Sequence, residues 1–256
     1  MQKISTIAIN TFRESIRSKI LYSLIIFAGV LVLISSLFGS VTIGEQDKVV
    51  KDFGLFCISI FTIAYAVISG ASMVHKELSK KTIYNILSKA VRRWEFLLGK
   101  FLGMFLTLLV MLALMGSALL ALSYLLESQN NLLLLQAYFY QALELLIICA
   151  TVIFFSAIVV TPLLSGLFTF GVFLVGRSIS YLLFFVESGE VSGLTAKILK
   201  LLNLVLPNLD KLNINDEVVH GYSMTPEHML WSTVYAVSYA IVLLILAAAI
   251  FRKREF

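Results

Sequence analysis

The amino-acid sequence predicts an all-α integral membrane protein. Six transmembrane helices follow an N-terminal amphipathic helix, with a short cytoplasmic helix after the second span and an extracytoplasmic re-entrant or interfacial helix before the last. Three observations predict this. Of 256 residues, 59% are hydrophobic and only 14% charged, with mean hydropathy +0.95; soluble domains carry about 25% charged residues. A soluble core of this size cannot hide so much apolar surface, so the solvent is lipid. Second, six apolar runs have the ~20-residue length of a bilayer-spanning helix. Third, the basic residues cluster on alternate connections. A soluble enzyme, a disordered chain and a secreted disulfide scaffold are excluded.

Taken in order, residues 1–19 place Lys3, Thr6, Asn10, Arg13 and Arg17 on one narrow helical face. Ile4, Ile7, Ala8, Phe12, Ile16 and Ile20 cover most of the rest. This is an amphipathic helix expected to lie on the membrane surface, or else a plain basic anchor that fixes topology. No small-residue cleavage pattern of a signal peptide follows it. The predicted spans are 20–39, 53–74, 96–126, 138–161, 163–186 and 231–251. Pro162 breaks what would otherwise be one overlong helix, making spans four and five a tight hairpin. The runs are apolar all round, without the alternation of a barrel strand.

Topology follows from the lysines and arginines. Residues 1–19, the connection 75–100 and residues 252–254 together hold fourteen of the 20, while the opposite side holds five against ten acids. The positive-inside rule places both termini and the 75–96 region in the cytoplasm, of a bacterial-type inner membrane. The net charge of +5 is thus a topology signal, and nucleic acid is not an expected partner. The outer side has short connections at 44–52 and 127–136 and a long one at 187–230. Within the long one, Leu194, Ile198, Leu201, Leu202 and Val205 oppose Lys197 and Lys200, the pattern of an interfacial or re-entrant helix ended by Pro207. Trp94 and Trp231 fall at predicted membrane edges.

Few chemistries fit. Cys57 and Cys149 lie in apolar runs and read as buried hydrophobes. No G-x-x-x-x-G-K-[ST] occurs; Gly99-Lys100 has Trp94 where the first glycine belongs. His75, His220 and His228, and Asp47, Asp52, Asp210 and Asp216, are all read as lying outside the spans, which removes haem ligation and intramembrane proteolysis. His220 and His228 read as loop residues, and no metal or other cofactor is expected in this chain. Besides Lys100, counted with the basic connection, two charges fall inside spans. Glu144 lies roughly 9 Å, and Arg177 roughly 14 Å, below the outer ends of spans four and five at 1.5 Å per residue. They are within reach of each other, and three roles stay open: an ion pair stapling the hairpin, a substrate path, or snorkelling to the surface.

The segment His75-Lys-Glu-Leu-Ser-Lys-Lys-Thr-Ile-Tyr-Asn-Ile-Leu-Ser-Lys-Ala-Val-Arg-Arg-Trp-Glu-Phe-Leu-Leu-Gly-Lys-Phe-Leu-Gly103 is the most informative. Thr82, Ile83, Ile86 and Leu87 set an apolar stripe among strong charges. Such a helix is too polar to span and too apolar to float free, so it rests on lipid or docks into a protein. It resembles the coupling-helix region of type-2 ABC exporter permeases. Asn10-Thr-Phe-Arg-Glu-Ser-Ile-Arg-Ser-Lys-Ile20, Pro207-Asn-Leu-Asp-Lys-Leu-Asn213 and Phe251-Arg-Lys-Arg-Glu-Phe256 resemble the same family. Together with Gly44-Glu-Gln-Asp and Asp52-Phe-Gly-Leu, these stretches are most similar to its copper-enzyme-maturation subgroup.

The resemblance implies one permease domain, 1–256, with 1–19 as connecting helix and 75–96 as cytoplasmic coupling region. Its partners would be separate cytoplasmic ATPases carrying ATP and Mg, a second permease chain (identical or different) and membrane lipid. The chain itself, lacking a nucleotide-binding motif, would not hydrolyse ATP and would not be an enzyme. Glu77, Thr82, Ile83, Ile86, Leu87, Arg92 and Arg93 are the implied ATPase-coupling residues. The alternatives are an ion-gradient-driven carrier, for which midplane carboxylates are too few, and a non-transporting scaffold or assembly factor.

Overall fold

A computed structural model of the chain describes residues 2–41, 46–79, 92–126, 131–189 and 193–253, and within them every regular element is helical. In order these are α1 (Gln2–Ile16), α2 (Lys19–Val41), α3 (Gln46–Ser79), α4 (Arg93–Leu125), α5 (Leu133–Ile158) and α6 (Pro162–Glu187). Then come α7 (Leu194–Val205), a 3-10 turn (Asp210–Leu212), α8 (Asn215–Val219) and α9 (Pro226–Lys253). Among the described residues, five helices (α3, α4, α5, α6 and α9) are long and apolar enough to cross a membrane. This is a multi-pass membrane protein. The 23-residue α2 packs along α3 and touches α4.

The bundle is built around α5. In its most apolar stretch 72% of residues are buried, against 22% in α6 and in α9. It packs on α9, α3, α4 and α6, so its all-round apolar sequence meets protein on every side. By contrast α6 and α9 turn Leu163, Leu167, Phe184, Ile241 and Ile245 outward, where lipid is their solvent. The α5–α6 hairpin turns where Pro162 stands at the first position of α6, a place that lacks a hydrogen-bond acceptor anyway. Across it, the Ser156 and Ser165 hydroxyls bond each other at 2.9 Å, fully buried.

Several helices run past the apolar segments that predict them. α3 begins at Gln46, so Asp47 and Asp52 lie in its first turns and not in a loop. Asp47 is favoured there by the helix dipole and sits 3.8 Å from Lys51, one turn on. At its other end α3 continues to Ser79, which puts His75 inside the helix at 5% exposure. His228 likewise belongs to the first turn of α9. The physical reason is the same each time: the backbone ladder continues past the edge of the apolar run wherever side-chain partners hold the extra turns. Residues 75–79 are therefore the end of a long helix, and α4 begins at Arg93.

α1 has its buried face on α4. Thr11 and Ser15 are buried on the same face as the half-buried Ile4, Ile7 and Ala8, and two glycines receive them. A Cβ on Gly103 would lie 2.6 Å from the Ala8 carbonyl oxygen, and one on Gly99 2.6 Å from the Ile7 side chain. Gly99 and Gly103, four apart, thus let two helix backbones touch, as small residues do between membrane helices. Gly103→Val is expected to push α1 off α4 at a cost of about 1–3 kcal/mol. A cysteine at Thr11, 0% exposed, should then change from inert to reactive toward a thiol reagent. An unreactive cysteine in that variant would refute the close approach.

Candidate functional site: the basic end of the bundle

Four polar contacts gather where α3 ends and α4 begins. Lys76 Nζ donates to Glu14 Oε1 at 2.5 Å, joining α3 to α1, with both side chains well exposed. On the next residue, Glu77 pairs with Lys100, joining α3 to α4, with side chains 17% and 2% exposed. Lys100 Nζ also stands 5.8 Å from the centre of the Phe96 ring. Arg93 Nη1 donates to the carbonyls of Phe251 and Arg252, each at 3.0 Å. Carbonyls in the last turn of a helix lack intrahelical donors, so this guanidinium caps α9 from a different helix. Phe96 and Phe251 stack below it with centroids 6.3 Å apart. Finally, Glu95 Oε2 accepts the Arg92 N–H at 2.7 Å, closing the first turn of α4.

Within the bundle, Arg177 on α6 reaches Glu144 on α5. One nitrogen, Nη1, donates to Oε1 at 2.7 Å and to Oε2 at 2.9 Å. The Glu144 side chain is 2% exposed and that of Arg177 23%. Beside Arg177, Gly176 admits the segment that follows α7: the Leu209 N–H donates to its carbonyl at 2.9 Å. A Cβ there would lie 2.6 Å from the Pro207 oxygen. Asn208 donates its N–H to the Tyr235 hydroxyl on α9 at 2.8 Å, and its side chain meets Ser180 on α6. The Pro207–Asn213 stretch thus clasps α6 to α9 at the end of the bundle opposite the four contacts above. At that same end the Tyr140 hydroxyl bonds His228 Nδ1 at 2.6 Å with the rings stacked.

A family model described as ABC-2 family transporter protein matches residues 5–256. The chain belongs to the ABC-2 transporter family. No curated protein matches it. As an ABC-2 chain it is a membrane permease subunit of an ABC transporter, and membership implies partnership with an ABC ATPase subunit.

In this ABC-2 permease the residues singled out for ATPase coupling divide three ways. Thr82, Ile83, Ile86 and Leu87 lie outside the described residues. The Arg92 side chain is exposed. Glu77 and Arg93 are turned inward, onto Lys100 and onto the end of α9. Sequence reasoning missed Lys100, Glu14 and Phe251 as members of this site. Lys100 carried a readable signal, since a lysine two turns into a spanning helix needs a partner. The Arg93–Phe251 contact carried none, because its acceptors are backbone carbonyls.

Proposed function

We propose that this permease is the translocating subunit of an ATP-driven exporter, docked through residues 75–96 to separate cytoplasmic ATPases. α2 serves as the first of six spans, and α1 as the connecting helix on the membrane surface. Both termini and segment 80–91 face the cytoplasm of a bacterial-type inner membrane. A second permease chain, identical or different, completes the translocation path. ATP and Mg belong to the ATPases, and this chain supplies no catalytic group. The segments 10–20, 44–47, 52–55, 207–213 and 251–256 together favour the copper-enzyme-maturation subgroup.

The observation that carries this proposal is the convergence of contacts from α1, α3, α4 and α9 on the two ends of segment 80–91. A push on that segment meets a braced frame, so closure of the ATPases can be converted into helix rotation and a switch from inward- to outward-facing cavity. The test is purification of the tagged permease from its own membrane in mild detergent. A P-loop ATPase should accompany it in near-equal amount, with vanadate-sensitive MgATP hydrolysis. A permease that elutes with no ATP-hydrolysing companion would overturn the proposal.

A further inference from the structure

Two charge contacts one residue apart join α3 to its neighbours, and they differ in surroundings. Lys76–Glu14 is open, with side chains 53% and 42% exposed, and water screens such a pair. Glu77–Lys100 is enclosed, Lys100 to 2%, with Phe96 one turn back on the same face of α4. An enclosed ion pair holds two helices together no better than a well-packed apolar pair of similar volume. Stability therefore gives no reason for charge at this position. What charge can add over apolar packing is register, since sliding one helix past the other takes the enclosed Lys100 ammonium, 2% exposed, away from its carboxylate. The location gives that register a use: Glu77 lies just before segment 80–91 and Lys100 two turns into the helix that follows it, so the pair closes the base of the segment.

We infer that Glu77–Lys100 is a positioning pair that makes α3 and α4 move as one body when the segment joining them is displaced. Force arriving at 80–91 then turns the helix pair instead of spreading its ends, and the Glu14 and Arg93 contacts carry α1 and α9 along. This rests on ATPase docking at that segment. Neither residue meets substrate or nucleotide.

Spin labels on cysteines placed at Ser72 and Leu102, both exposed, read the α3–α4 spacing in the permease–ATPase complex. The native Cys57 and Cys149 are buried and stay unlabelled. With no other change, the distance distribution should be the same without nucleotide and after trapping with MgATP and vanadate. Glu77→Gln leaves the Lys100 charge unpaired and should lower folded yield several-fold. Glu77→Gln with Lys100→Met removes both charges and should recover the yield and keep the ATPase bound. In that double variant, trapping should broaden or shift the distribution while ATP hydrolysis continues. A spacing that changes on trapping with the pair intact overturns the inference, as does a double variant whose spacing stays fixed. Absence of the ATPase from the unaltered complex is a separate result, which removes the docking itself and the pair's role with it.

Discussion

Replacing Ile83 and Leu87 together with aspartate should release the ATPase and leave the permease folded. The two residues stand four apart, the spacing that puts two side chains on one face of a helix, and the docking proposal buries both. Each buried apolar side chain of this size is worth about 1.5–3 kcal/mol. Losing two removes roughly 3–6 kcal/mol, which is on the order of a hundredfold or more in affinity. Aspartates buried at the same points add a desolvation cost. An exposed ion pair is commonly worth under about 1 kcal/mol, so charge reversal at Arg92, whose side chain is exposed, should weaken docking far less. Folding is spared because the contacts bracing α1, α3, α4 and α9 are made by Glu14, Lys76, Glu77, Arg93 and Lys100, all outside 80–91. The measurements are ATPase co-purification and ATP hydrolysis in reconstituted membranes. Wild-type values for both in the double aspartate variant would remove residues 80–91 as the coupling element.

The second large effect is expected at Glu144–Arg177. Removing one partner of a buried ion pair typically costs about 3–5 kcal/mol, because the other is left as an uncompensated charge. The two single variants should not be equal. Arg177→Met strands a carboxylate whose side chain is 2% exposed, whereas Glu144→Gln leaves a guanidinium at 23% exposure that can move toward water. The arginine variant should therefore lose more folded yield and more thermal stability in detergent. Glu144→Gln with Arg177→Met leaves no orphan charge and should recover to within about 1 kcal/mol of wild type, a strongly non-additive cycle. Additive losses would show that the pair is not energetically coupled. A double variant that folds but no longer transports would shift the pair from stapling the hairpin to lining the substrate path.

Much of this architecture is legible in one dimension because lipid imposes it. The apolar runs that become α4, α5, α6 and α9 are set by bilayer thickness, and Pro162 marks the turn between two of them. Counting from the outer ends of the two spans brings Glu144 and Arg177 to within about 5 Å of each other in depth, which is why their meeting follows from residue numbers alone. The helix ends were not legible. α3 extends at one end through Asp47 and Asp52 and at the other through Glu77; Asp47 meets Lys51 and Glu77 meets Lys100, partners that hydropathy does not register. Nor was the seat of α1. Gly99 and Gly103 look like interruptions in an apolar run until the backbone of Ala8 is found against them. The basic end was half legible: its charge density marks one end of the bundle, but which charges turn inward depends on helices distant in the chain.

The contact between Arg93 and the end of α9 has a consequence for how the molecule is made. It joins residues 158 positions apart. Chains are synthesised at about 5–20 residues per second, so roughly 8–32 s separate the appearance of Arg93 from that of its acceptors. During that interval α5 lacks the neighbour against which it packs, and Phe96 lacks the ring that covers it. The newborn permease thus carries an open seam beside the region proposed to receive the ATPase. Arrival of α9 closes that seam, so assembly with the ATPase can be reserved for chains that have been translated through Phe251 and have inserted their final described helix.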